Sequence, residues 1–215
     1  MKQNKKIYDI SLSIHENTIT WPDDPFFKKE LSSSIDKGDE ANVTEISMGT
    51  HSGTHIDAPH HFLNNNITTD SIPLDILMGE SLVIEVTSEN LIEPKDIENI
   101  DFSGIIRVLF KTKNSILWES SHHKFNKNFI SLGMRAAELL VEKGIKLIGI
   151  DYLSIESYYA EEGNPVHKLL LKNNIIILEG LNLYNINEGI YELICLPLKL
   201  SETEGSPARA ILREI

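Results

Sequence analysis

The chain has 215 residues, and its 20 Lys and Arg against 32 Asp and Glu leave a formal charge of −12, which opposes the phosphate contacts of nucleic-acid binding and repels anionic membranes. With 41% hydrophobic and 24% charged residues it reads as an ordinary folded protein, long enough for one domain over 1–215 with a core that needs no staples. The lone Cys195 allows neither an internal disulfide nor a thiolate-rich zinc site, so any metal must be held by His and carboxylate side chains.

The start, MKQNKKIYDISLSIHEN, lacks the continuous apolar stretch and small-residue cleavage site of a signal peptide. No segment approaches the ~20 apolar residues of a membrane span, so a cytoplasmic address is expected. Tyr8, Ile10, Leu12 and Ile14 alternate with polar residues, as a half-buried strand should. The clusters NTITWPDDP and LNNNITTD read as irregular loops. Further strands, dense in β-branched residues, are expected over Leu82 to Val86, Ile105 to Phe110, Lys146 to Ile150, Ile175 to Leu178, Leu193 to Leu198 and Ala208 to Ile215. One helix is clear, from Met134 to Lys143, where Ala136, Leu139 and Leu140 recur at helical spacing and Gly144 supplies a left-handed stop. It hands over directly to the strand LIGI and Asp151, a strand-end carboxylate with no second ligand near it, read as structural or as an outer support of a site. The pattern is that of an α/β fold with a mixed, strongly curved sheet.

The chemistry concentrates in HSGTHIDAPHH, residues 51 to 61, which holds four of the chain's eight histidines together with Asp57. Histidine is the commonest metal ligand, and His51, His55, Asp57 and His61 share odd positions, hence one face of an extended chain. Full extension would leave His51 and His55 ~13 Å apart, too far to share an ion at ~2.1 Å from each, so the chain must bend, and Gly53 is placed for the bend. His55 and Asp57, at i and i+2, converge without distortion over ~7 Å. His51, His55 and Asp57 are therefore read as ligands on a kinked strand or loop, for Zn²⁺, Mn²⁺ or Fe²⁺ in a catalytic site; the bland reading is a His-rich surface loop. Two later residues could extend the set. Glu179 ends the apolar run 175–178, where open α/β sheets place ligand-contacting groups, or it is the exposed first residue of a turn. His167, in NPVHKLLL, falls in the first turn of a short helix begun by Pro165, where taken alone it reads as a surface or capping histidine before a ligand.

HSGTHIDAPHHF resembles the H-x-G-T-H-x-D-x-P-x-H-F signature of the cyclase-like metal-dependent hydrolases, with every fixed position present. TWPDDP, RVLFKT, GIDYLSIE, NPVHKLLL, LEGLNL, LPLKL and SPARAIL resemble further family segments in the same order, over nearly the whole chain. The resemblance implies a swivelling β/β/α domain with a barrel-like sheet, usually a homodimer or higher homo-oligomer whose partner helps line the pocket. It implies metal ligands at His51, His55, Asp57, His167 and Glu179, a general acid/base at His61, and one or two divalent ions per subunit, Zn²⁺ foremost and Mn²⁺ as the alternative. The implied activity is hydrolysis of a small aryl amide, foremost N-formyl-L-kynurenine to L-kynurenine and formate in tryptophan catabolism. The alternatives are another aryl or cyclic amide such as isatin and, from a different class, a protein that keeps the metal without catalysis or uses its histidines only for stability. Trp21 is a candidate aromatic wall for the substrate, though a Trp is often simply core. Asp23 stands where the family has Gly, Glu156 where Asp is common, and Lys111 where Arg is common, so the loop over the substrate and two presumptive substrate contacts depart from the pattern.

Overall fold

Apolar alternation on both faces of successive strands builds a sheet that is covered on each side. In the computed structural model, which describes residues 5–64, 67–119 and 124–215, the first strands are β1 (Ile7–Asp9), β2 (Lys28–Ser33), β3 (Val43–Ser47) and β4 (His55–Asp57). A helical turn α1 (Leu74–Leu77) leads into β5 (Met78–Glu85) and β6 (Leu91–Ile92), then α2 (Pro94–Ile97), β7 (Arg107–Lys111) and β8 (Ser131–Leu132). The chain continues through α3 (Met134–Glu142), β9 (Leu147–Ile150), α4 (Pro165–Lys172), β10 (Ile176–Glu179), β11 (Gly189–Pro197) and β12 (Gly205–Glu214). The MKQN start and Asn65 and Asn66 of the LNNNITTD cluster lie outside the described residues.

The main sheet runs β12-β11-β5-β7-β9-β10-β4 and returns from β4 to β12, closing a seven-stranded barrel with β1 added outside. The centre, β5-β7-β9-β10, is parallel, and the flanking pairs are antiparallel. This is the α/β architecture with a mixed, barrel-like sheet that the sequence implied. Closure depends on β12, whose 208–214 stretch pairs with β11 while Gly205, Ser206 and Pro207 pair with Asp57, Ile56 and His55. Side chains alternate across the wall: Leu109, Leu147 and Leu178 fill the barrel with Ile56, Val83, Leu193 and Cys195, whereas Val108, Phe110, Ile148, Ile150 and Ile177 face α3 and α4. On that outer side the helices bury Ala136, Ala137, Leu140, Val166, Leu170 and Leu171. Each buried Leu here contributes roughly 1.5–3 kcal/mol of apolar transfer.

The expected strands appear with shifted ends. The first is a regular strand only over Ile7–Asp9, with an isolated bridge at Ser11, although Ile10 is fully buried as its alternation required. The strand expected from Ile105 begins instead at Arg107, whose buried guanidinium donates to the carbonyls of Ile76, Asp75 and Glu80 and ties down the turn before β5. The helix ends at Glu142, with Lys143 as cap and the chain reversing at Gly144. The β2–β3 hairpin gives no sequence signal because its strands are exposed and carry no apolar alternation. Among the described residues no helix is long and apolar enough to cross a membrane.

Candidate metal centre

Three elements converge outside the barrel wall. In the antiparallel β4–β10 ladder His55 pairs with Glu179 and Asp57 with Ile177, so His55, Asp57 and Glu179 rise from one face while Ile56 and Leu178 point into the barrel. The ladder ends in two close backbone approaches. Gly53, at φ 66, supplies the expected bend, and its carbonyl would lie 2.3 Å from any Cβ placed on Gly180, itself at φ 68. Thr54 Oγ1 donates to the Gly180 carbonyl at 2.5 Å and fixes the crossing. The bend brings the His51 and His55 rings to 5.0 Å and stacks His51 on His61 at 4.2 Å. His167 arrives from the first turn of α4, as its position after Pro165 suggested, and is buried.

The donor set has the spacing of a coordination sphere. His55 Nδ1 lies 3.0 Å from the Gly53 carbonyl, an acceptor only, so it carries the proton and leaves Nε2 as a bare lone pair. That nitrogen is buried without a hydrogen-bond partner, 3.3 Å from Glu179 Oε2 and 3.5 Å from Asp57 Oδ1. His167 Nε2 lies 3.4 Å from Glu179 Oε1 and 3.8 Å from Asp57 Oδ2. Ligand atoms ~2.1 Å from a tetrahedral ion stand about 3.4 Å apart, the separation that His55 Nε2 keeps from Glu179 and Asp57, while His167 faces the other oxygen of each carboxylate. Acceptors facing one another in a dry site repel unless a cation or proton lies among them, so the residues fit a divalent ion. His51, Asp57 and His61 form a second convergent group, with His51 Nδ1 at 2.8 Å from Asp57 Oδ1, so Asp57 is common to two candidate positions.

Electrostatics agree with a site built for positive charge. Burial would raise the Asp57 carboxyl, but the imidazoles of His51, His61 and His55 outweigh it and hold it well below the usual carboxylate range. Burial likewise opposes charge on His51 and His167, yet Asp57 draws the first, and Glu156 and Glu179 the second, up to about 10. His61 is the exception. Burial pushes it below the ordinary imidazole value and holds it neutral at physiological pH.

A cavity of about 260 Å³ opens onto this cluster, and its lining includes His51, His55, His61, His167 and Glu179. Trp21 forms part of its wall while packing edge-on against Phe125 at 5.1 Å and beside Tyr158 at 5.6 Å. Asp23 adopts φ 74, the left-handed conformation that the usual glycine would take, and the loop places Asp24 in the cavity wall. Lys111 pairs with Glu85 at 3.0 Å. Asp151 is structural: wholly buried, it accepts hydrogen bonds from the backbone and hydroxyl groups of Thr112 and Ser115. Sequence reasoning gave no site role to Glu204, whose Oε1 accepts from Thr50 at 2.7 Å and lies 3.5 Å from His51 Nε2, or to Asp24. It named Glu156 only as a departure from the family's usual Asp, and the structure buries that carboxylate against His167 at 2.7 Å. A carboxylate closing the mostly apolar stretch IDYLSIE, residues 150–156, was the available signal.

Comparison with known proteins adds four findings. The Cyclase family model matches residues 8–157. A kynurenine formamidase of Bacillus cereus is 38% identical over 210 residues, covering 96% of this chain and 97% of that one. Among solved structures, a potential metal-dependent hydrolase with cyclase activity superposes with a TM-score of 0.85 at 36% identity over 98% of both chains. Isatin hydrolase A of Labrenzia aggregata does so with 0.83 at 24% identity, over 98% of this chain and 94% of that one, a likeness of fold.

Proposed function

The chain belongs to the cyclase family, and from that premise we propose that it is a metal-dependent amide hydrolase that cleaves N-formyl-L-kynurenine to L-kynurenine and formate. The observation that carries the chemistry is the buried, unpartnered His55 Nε2 facing Asp57 and Glu179 at 3.5 and 3.3 Å. His55, Asp57, Glu179 and His167 would hold one divalent cation, Zn²⁺ or Mn²⁺, with His51 able to share Asp57 with a second. Such an ion, when bound, activates water at neutral pH and polarises an amide carbonyl.

The chain's own residues supply the rest. His61, kept neutral by burial, takes the proton of the attacking water and returns it to the leaving aryl nitrogen as the C–N bond breaks, so that water's atoms end on formate and the amine. Trp21, Tyr158 and Phe62 line the cavity with aromatic surface against which an aryl ring can pack and from which it excludes water. We further take the active form to be a homodimer in the cytoplasm. Supporting association, the β2–β3 hairpin presents Leu31, Val43 and Ile46 to solvent, each about half exposed. A reducing compartment suits the unpaired Cys195 thiol.

Formate release from N-formyl-L-kynurenine by the purified protein, abolished by chelation and restored by Zn²⁺ or Mn²⁺, is the deciding measurement. Turnover of isatin instead would move the substrate to a cyclic amide, and bound metal with no turnover of either would make the chain a non-catalytic metal binder. Sedimentation at micromolar concentration tests the dimer.

A further inference from the structure

We propose that Glu156 is a positioning residue that fixes the tautomer and direction of His167 while capping the helix that carries it, an assignment that rests on the metal-dependent reading above. α4 begins poorly equipped: Asn164 at its N-cap is left-handed and makes no side-chain capping bond, and Pro165 has no N–H to offer. The next two backbone donors are met from outside the helix. Glu156 Oε1 accepts from the Val166 N–H at 2.9 Å and Oε2 from the His167 N–H at 3.2 Å. The same Oε2 accepts from His167 Nδ1 at 2.7 Å. One buried carboxylate thus ties the backbone at the helix start to the imidazole it presents.

The consequence falls on the opposite ring nitrogen. With one proton held on Nδ1, Nε2 is the nitrogen whose lone pair His167 would offer to an ion, and the ring lies where it faces Glu179 and Asp57 at 3.4 and 3.8 Å. The other candidate histidines are oriented differently: His55 by the neutral Gly53 carbonyl, and His51 by Asp57, itself a candidate ligand, at 2.8 Å from Nδ1. His167 alone of the three combines a carboxylate partner at 2.7 Å with attachment to a helix rather than to the β4 segment, so its placement depends on a carboxylate in a separate loop. These three bonds engage both oxygens of Glu156, at the edge of the cavity that opens on the cluster.

The test uses the full chain reconstituted with zinc, as wild type, Glu156→Gln and Glu156→Asp. Zinc affinity is read by competition with a chromophoric chelator, the His167 tautomer from long-range ¹H–¹⁵N correlations on ¹⁵N-histidine-labelled protein, and thermal midpoints with and without zinc. We expect Glu156→Gln, which keeps the size but loses the charge and one acceptor, to weaken zinc binding 10–100-fold and to lose the single Nδ1–H signature of His167. Glu156→Asp, which keeps the charge, is expected to retain that signature and fall between the two. Zinc binding and tautomer unchanged in both variants would overturn the assignment, as would equal losses of thermal midpoint with and without zinc at unchanged affinity, which leave Glu156 a helix cap only. A wild type that takes up no zinc would instead bring down the hydrolase reading itself, and this one with it.

Discussion

Glu179 stands directly opposite His55 in the β4–β10 ladder, its Oε2 ending 3.3 Å from His55 Nε2. The pair is made by strand register, so the candidate site is as rigid as the barrel wall beneath it. Two donors converge there before any ion arrives, and the cost of holding buried acceptors face to face falls on the fold.

Removing one member of that pair should therefore cost metal rather than structure. Glu179→Gln is expected to lower zinc affinity by more than the ~100-fold typical of losing an outer partner, measured by chelator competition. Chelation of the wild type should lower its melting temperature, and added metal should restore it, because an ion bound only by the folded state stabilises by mass action.

His61 touches the same cluster from the cavity side, stacked on His51. His61→Asn should reduce turnover about 10²–10⁴-fold while at least one metal equivalent per chain remains on His55, Asp57 and Glu179. A metal content that drops to zero would instead make His61 an indispensable ligand.

Asp23 holds a left-handed backbone at the edge of the loop that supplies Trp21 and Asp24. Asp tolerates this conformation at small cost, so Asp23→Gly should leave the urea midpoint nearly unchanged. Asp23→Val, β-branched at positive φ, should lower stability by about 1–2 kcal/mol.

Cys195 is fully buried in the barrel, and burial pushes its thiol up to about 12, against 9.0 for an unhindered cysteine. The folded value exceeds the unfolded one, so the folded state keeps a proton that the unfolded chain releases. Stability from this group is complete below about pH 9 and declines as pH climbs toward 12, by ~1.4 kcal/mol per pH unit. Urea midpoints taken from pH 8 to 11 should fall, and fall less steeply in Cys195→Ala, with one thiol labelled only after denaturation.

What the sequence made legible and what it hid follow one physical divide. Strands buried on both faces, such as Ile148–Ile150 or Ile176–Leu178, announce themselves as apolar runs, and so does a helix such as α3 with one buried stripe. The β2–β3 hairpin buries little and leaves no pattern. In the site, His51, His55, Asp57 and His61 were visible because they crowd a dozen residues, with Gly53 marking the bend. His167 and Glu179 looked ambiguous alone and rested on resemblance, because their meaning comes from β4 lying beside β10 and α4, which local periodicity does not encode. Glu156 received no site role for the same reason: its partner is eleven residues downstream, across a turn.

The seam between Gly205–Pro207 and the 55–57 strand has a bearing on the order of events in the cell. The ion-binding face is encoded early in the chain but gains its second neighbour only from a stretch far downstream, so a nascent or truncated chain ending before residue 205 would present that edge unpaired to solvent and to other chains. Competence for metal should appear late in synthesis, and the interval before it is when the protein is most exposed to misassembly.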